Sequence, residues 1–365
     1  MLCLRNAKRR FALSKCFTTL QRRVNGDEKK DNFVSVFPEV LDILTNSSVY
    51  SNVPKFSNHF AEVMEFNVLK EKRFRPSIIM DTYTTLEASE NLTEENLHLA
   101  KILAWCVELL HTSIIINDDL MDSSQTRANE ITWYRKKGVG LNAVNDATLV
   151  LEGAFVLLKK YFSNCKAYLP LSDLFRYINM MAAVGQALDW KSNINGNAVF
   201  APFTMDKYKT TIGYKGSIPF VEGPFRAALI LSDNGSESTL REVRDVVMKL
   251  GEAFQIDNDV LDIFENGKVR KQIGNDISEG KCTWLAVQVL QNGNEEQRRI
   301  FKNNYGRIGD EFEEKIVAVY KEMNLFEKYL AYRDETLAYI HERTRKMTPS
   351  LRNASISLVE NIFPL

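Results

Sequence analysis

An apolar stretch that ends abruptly in carboxylates, Leu109 to Arg127 (LLHTSIIINDDLMDSSQTR), constrains this chain more than any other. The apolar run is compatible with a helix, and it closes in Asp118, Asp119 and Asp122 before a polar tail carrying Arg127. On a helix Asp118 and Asp122 share one face, about one turn apart. Two carboxylates that close repel each other unless a cation lies between them. Mg²⁺ takes oxygen ligands and keeps several waters, so it commonly binds through one or two carboxylates plus substrate phosphates. The stretch therefore reads as a metal–diphosphate site at the mouth of an apolar pocket. The bland alternative is a solvated acidic helix face.

A second element of the same kind shifts the balance toward a site. Gln255 to Asp262 reads QIDNDVLD and follows Val243, Val246, Val247, Leu250 and Phe254 at helical spacing. Asn258, Asp259 and Asp262 repeat the spacing of oxygen ligands. Two such elements, far apart in sequence, can face each other across a bundle core, where metal sites are built from facing helices. Gln186 and Asp189, polar residues within the apolar stretch 171–190, join the candidates on the strength of these neighbours.

The remaining composition excludes several classes. Of 365 residues 45% are hydrophobic, enough for a large core, and 47 Lys+Arg balance 47 Asp+Glu. No basic field points to nucleic acid. The five cysteines are scattered without CxxC spacing and read as reduced thiols of an intracellular protein. No uninterrupted apolar run approaches the ~18–20 residues of a membrane span.

Residues 1–30 differ from the rest. Arg5, Lys8, Arg9, Arg10, Lys15, Arg22 and Arg23 precede the first acid, Asp27, and alternate with Leu4, Phe11, Leu13, Phe17 and Leu20. This is the composition of an organelle transit peptide, with a disordered basic tail as the alternative. It implies a mitochondrial or other organellar location, or a cytoplasmic one if the segment is only a tail. From residue 31 to 365 helical periodicity dominates, from Phe37–Leu44 and Phe60–Leu69 onward. Leu92-Thr93 with Glu95 starts the long helix that reaches the first aspartates. Gly213, Gly216, Pro219, Gly223 and Pro224 predict a kink or break after Lys209. With no alternation long enough for a sheet, the expected fold is all-α: one antiparallel helical bundle around a central cavity.

LLHTSIIINDDLMDSSQTR, WYRKKGVGLNAVNDA, GQALD, YKT and GEAFQIDNDVLDIF…IGNDISEGKCTWL together resemble the farnesyl diphosphate synthase family of trans-prenyltransferases, over about residues 60–290 and in order. The resemblance implies an isoprenoid synthase-type bundle, often a homodimer, whose two aspartate motifs and three Mg²⁺ ions grip the diphosphate of an allylic substrate. It implies that Asp118, Asp122, Asn258, Asp259 and Asp262 hold metal, and that Arg127, Lys209 and Lys281 hold diphosphate. Gln186 falls near the metals. Lys72, Arg75 and His111 match positions that bind a second substrate, isopentenyl diphosphate. Ser113, Ile114 and Phe254 shape the hydrocarbon pocket.

The departures from the family lie mostly on the isopentenyl side. Glu71 replaces a glycine, Ala128 the second Arg of a pair, and Gln272 a lysine, while Asn258 stands where the second motif begins with Asp. The terminus Phe363-Pro364-Leu365 lacks the usual basic residues. One lost Arg–phosphate contact costs about 1.5–3 kcal/mol, roughly ten- to a hundred-fold in binding. These departures resemble insect-type terpene synthases derived from the family. The sequence expectation is thus a terpene synthase ionising a prenyl diphosphate, with farnesyl diphosphate the expected substrate. A prenyltransferase is the alternative, and a non-catalytic partner subunit ranks last because the carboxylates are kept.

Overall fold

A computed structural model of the chain describes residues 33–46, 53–69, 74–128, 130–190, 193–194, 197–201, 203–265, 267–270 and 274–362. The leader 1–30, Glu71, Lys72, Lys271, Gln272 and Phe363–Leu365 lie outside the described residues. The fold is all-α, as expected. In chain order the helices are α1 Phe37–Thr45, α2 Pro54–Val68, α3 Phe74–Leu86, α4 Glu94–Met121, α5 Ala143–Phe162, α6 Tyr168–Trp190 and α7 Met205–Ile212. A π-helical segment, Gly213–Glu222, runs on into α8 Gly223–Leu231. There follow α9 Glu237–Ile263, the single turn α10 Asp276–Glu279, α11 Trp284–Asn292, α12 Glu295–Asn304, α13 Asp310–Glu322, α14 Leu325–Thr344 and α15 Pro349–Ile362. Three two-residue ribbons punctuate the helices: β1 Thr126–Arg127 with β2 Glu130–Ile131, β3 Asn193–Ile194 with β4 Asn197–Ala198, and β5 Phe264–Glu265 with β6 Lys268–Val269.

The α4 helix is the hub. Thr93 caps it by accepting a hydrogen bond from the Asn96 amide, and Glu94 and Glu95 favour the positive end of its dipole. From Ile102 to Ser113 every residue is buried, so the helix has no solvent face and lies inside the bundle. Trp105 is fully buried and stacks on Phe33 at 4.1 Å. The helix ends at Asp122, where Ser123 turns to a positive φ of 56°. By length and composition α4 and the segment Gly140–Phe162 could each cross a membrane, although neither is an uninterrupted apolar run. The most apolar part of α4 is 78% buried in the bundle, whereas that of Gly140–Phe162 is only 44% buried.

The glycine–proline stretch does not break the chain. It widens into a π-helix that keeps Pro219 within a continuous helical path and packs against both α6 and α9. Two glycines permit this fit. A β-carbon on Gly185 of α6 would lie 2.2 Å from the Lys215 amide nitrogen, and one on Gly251 of α9 would lie 2.4 Å from Ser217 Cβ. Ser236 caps α9 through the Thr239 amide, and α9 delivers the second acidic element at its C-terminal end.

Candidate active site

The first aspartate motif sits on the last turn of α4, with β1 folding back over it. The Arg127 guanidinium donates from Nη2 to Asp119 Oδ1 at 2.6 Å and from Nε to the same oxygen at 3.1 Å. Its distance to Asp118 Oδ2 is 3.5 Å. Asp119 is thus a buried, braced carboxylate, while Asp118 and Asp122 turn toward α6. There Gln186 Nε2 donates to Asp122 Oδ1 at 3.1 Å. Lys215, on the π-helical segment, stands 3.0 Å from Asp118 Oδ1, 3.7 Å from Asp122 Oδ2 and 2.5 Å from Asp189 Oδ2. Burial raises the Asp118 carboxyl, but the Lys215 ammonium and Arg127 more than offset it, leaving the group below its ordinary value. Asp122 goes the other way, raised by burial and by the charges of Asp118 and Asp189 against the pull of Lys215.

The second motif divides in the same manner. Asp259 is buried, and its Oδ2 accepts from the Tyr208 hydroxyl at 2.6 Å and the Trp284 amide at 2.8 Å. Its Oδ1 accepts from Gln255 Nε2 at 2.9 Å. Among the described residues the Asp262 carboxylate accepts from the Asp276 amide, at 3.4 Å, while a β-carbon on Gly274 would overlap it. Burial and the nearby Asp276 charge push both Asp259 and Asp262 up to about 7. Lys281 pairs with Glu279 at 2.9 Å and Asp276 at 3.6 Å. Its charge also reaches Asp118 and Asp122, so the two motifs share one mouth. Asn258 is exposed.

A third cluster lies two helical turns, about 10 Å, upstream of Asp118 on α4. Arg75 and Glu108 form a bidentate pair at 2.8 and 3.1 Å, each side chain 1% exposed. The Arg75 guanidinium also lies 5.2 Å from the Phe74 ring and 5.6 Å from Phe220. His111 is buried with its ring edge-on to Phe220 at 4.4 Å, and among the described residues neither ring nitrogen has a hydrogen-bond partner. Burial, then the charges of Arg75 and Arg127, hold it well below the ordinary histidine value. Phe254 joins through Phe74 at 5.1 Å and Phe220 at 6.2 Å. Ser113 is buried on α4, and Ile114 packs half-buried against the same core.

Two placements differ from the sequence expectation. Lys209 is not brought to the aspartates: its ammonium pairs with Glu252 at 3.2 Å, beside a 560 Å³ cleft between α9 and α14 that also contains Lys249 and Tyr332. Lys215, which sequence reasoning passed over, takes the place beside Asp118. The signal that would have found it is its setting between Gly213 and Gly216, in a stretch already marked as irregular.

The donor set suits a hard divalent cation. The candidate ligands are carboxylate oxygens, and among the described residues Asp118 Oδ1 is buried without an aligned hydrogen bond, a set of groups that such a cation accepts. Among the described residues no three acidic, His or Cys groups form a ready-made ligand set; the three carboxylates that do converge, Asp118, Asp122 and Asp189, meet on the Lys215 ammonium.

The sequence profile described as polyprenyl synthetase matches residues 57–323. The chain belongs to the polyprenyl synthetase family. Among its relatives, farnesyl pyrophosphate synthase of Bos taurus is 33% identical over 325 residues, covering 87% of this chain and 92% of that protein. The enzyme of the same name from Murgantia histrionica is 33% identical, covering 90% of this chain and 80% of that one. A crystal structure of T. Brucei farnesyl diphosphate synthase superposes with a TM-score of 0.84 at 26% identity, over 91% of this chain and 99% of the other. These relatives overturn the expectation of a terpene synthase, because this polyprenyl synthetase chain aligns along nearly its whole length with prenyltransferases. The departures touch single phosphate donors, whereas Arg75, His111 and Phe254 are gathered around Phe220. The chain is an enzyme of isoprenoid biosynthesis, of the transferase class.

Proposed function

We propose that this chain is a metal-dependent trans-prenyltransferase of the farnesyl diphosphate synthase type, condensing isopentenyl diphosphate with an allylic diphosphate. The observation that carries this reading is the cluster of Arg75, His111, Phe220 and Phe254 on the same helical core as the aspartate mouth. A terpene-forming site needs only the mouth, whereas a condensing site needs a second polar-lined region one substrate length away. His111 offers two ring nitrogens there that have no partner among the described residues, edge-on to the Phe220 ring. Buried polar groups without partners are costly, so a ligand that hydrogen-bonds His111 gains affinity.

In this reading Asp118, Asp122 and Asp262 hold the ions, with Asn258 and Asp259 beside them, and Gln186 orients Asp122. Mg²⁺, when bound, neutralises the leaving diphosphate and favours its ionisation. Arg127 and Lys281 add fixed positive charge at the same mouth. Ser113 and Ile114, one turn before Asp118, set the depth available to the growing chain. The number of ions, three by family resemblance, belongs to this proposal, as does organelle import through the basic leader. A homodimer is supported by exposed apolar side chains along α5 and α6, among them Val144, Val156, Leu169 and Met180.

The test supplies the full-length protein and Mg²⁺ with isopentenyl diphosphate and either dimethylallyl or geranyl diphosphate, then analyses phosphatase-released alcohols. Elongated alcohols are expected. Their absence with every allylic starter would overturn the reading.

A further inference from the structure

We propose that Lys215 is a built-in cation of the aspartate mouth: it ties Asp118, Asp122 and Asp189 together in the metal-free protein and holds ground that a divalent ion must claim. This rests on the metal–diphosphate reading above and concerns what the chain does before substrate arrives. The three carboxylates come from two helices, α4 and α6, and the ammonium reaches them from a third element at 3.0, 3.7 and 2.5 Å. Without it, the mouth's fixed positive charge would come from Arg127, which is spent largely on Asp119, and Lys281, which pairs with Glu279 and Asp276.

The position is built into the backbone rather than reached by a swinging surface side chain. Gly216 and Ser217, next along the segment, are buried. Gly185 of α6 and Gly251 of α9 leave room for the segment on its two sides, at residues 215 and 217 respectively. The π-helical widening changes the register of side chains along the segment, so that residue 215 faces α6 and α4. An ordinary surface salt bridge would require none of this.

A cation already seated among the carboxylates competes with a second one. Two positive charges within a few ångströms repel, and the carboxylates that would ligate Mg²⁺ are already partly neutralised. The metal-free protein is therefore stable in its mouth region yet takes Mg²⁺ poorly by itself. The diphosphate, which brings negative charge, is what makes additional cations welcome. Lys215 acts as a positioning residue for the carboxylates and makes ion loading depend on substrate.

The experiment is calorimetric titration of the full-length wild type, Lys215→Met and Lys215→Arg, with Mg²⁺ alone and with Mg²⁺ plus inorganic diphosphate. Lys215→Met should bind Mg²⁺ alone roughly tenfold or more tightly than wild type, from removal of a competing charge. Lys215→Arg, which keeps the charge, should resemble wild type. If Lys215→Met binds Mg²⁺ alone no more tightly than wild type, while wild type loads Mg²⁺ with diphosphate, the lysine's role is overturned and the functional reading stands. No uptake by any form, even with diphosphate, overturns both. Should the Met variant fail to fold, wild type alone decides: the proposal expects no rise in its melting temperature with micromolar Mg²⁺ alone, and such a rise refutes it.

Discussion

Gly185 and Lys215 meet backbone to backbone: a β-carbon on the glycine would lie 2.2 Å from the lysine's amide nitrogen and 2.5 Å from its Cα. Neither neighbour is a flexible side-chain end, so Gly185→Ala must push the π-helical segment off α6. Overpacking of this kind costs about 1–3 kcal/mol. A melting temperature lower by several degrees is expected, together with weaker Mg²⁺–diphosphate loading. Gly216→Ala is the control, since its β-carbon would meet only Gln255 Oε1 at an ordinary 3.6 Å. Equal melting temperatures for the two variants would refute the argument.

Arg75 and Glu108 should behave as a unit. Arg75→Met takes both guanidinium donors away from a carboxylate that is 1% exposed, at a cost of about 3–5 kcal/mol. Replacing Glu108 by Leu in the same chain removes that buried charge and should restore most of the loss. Urea denaturation of the wild type, the single variant and the double variant measures both steps.

In EDTA, stability should fall as pH rises from 5 to 8. Asp259 and Asp262 sit at about 7 when folded, against an ordinary 3.8, with the Asp276 charge and burial holding them up. Between those values the native chain binds more protons than the unfolded one, so unfolding becomes easier with each step up through about 7. Mg²⁺ with inorganic diphosphate should flatten the slope by supplying the missing positive charge. A denaturation midpoint that climbs across this window in EDTA would contradict the assignment.

Ala128 already sits at a positive φ of 52°, so an arginine there inherits the same backbone conformation. Ala128→Arg should lower the KM for isopentenyl diphosphate roughly ten- to a hundred-fold, the worth of one charged phosphate contact, with kcat little changed. Steady-state kinetics at saturating allylic substrate reads this directly. An unchanged KM would show that residue 128 lies away from the second diphosphate.

Val156 and Met180, 46% and 60% exposed, mark the apolar faces of α5 and α6. Val156→Glu with Met180→Glu should convert a dimer to a monomer on size-exclusion chromatography. A wild type that elutes as a monomer would dismiss the interface at once.

The fold was readable because its helices carry strong local signals. Thr93 caps α4, and the buried run through Leu109 has no polar face to misplace. Both aspartate motifs were legible for the same reason, each closing a helix whose apolar residues recur at helical spacing. Lys215 was not legible, because a π-helical segment departs from the 3.6-residue count on which sequence reading depends. The partner of Arg75 was equally hidden: Glu108 lies 33 positions away, and only the packing of α3 on α4 brings the two together. The choice of reaction went astray through counting replaced residues one at a time, when Arg75, His111 and Phe254 act as a cluster.

The middle aspartate of each motif is tied down by groups outside the motif: Asp119 by Arg127, and Asp259 by Tyr208, Gln255 and the Trp284 amide. The spacing of the flanking carboxylates is thereby fixed by scaffolding that no five-letter signature records. Grafting either motif onto another bundle would transfer the ligands without their moorings, and such a graft would hold its ions loosely until the arginine, or the tyrosine and the glutamine, were moved along with it.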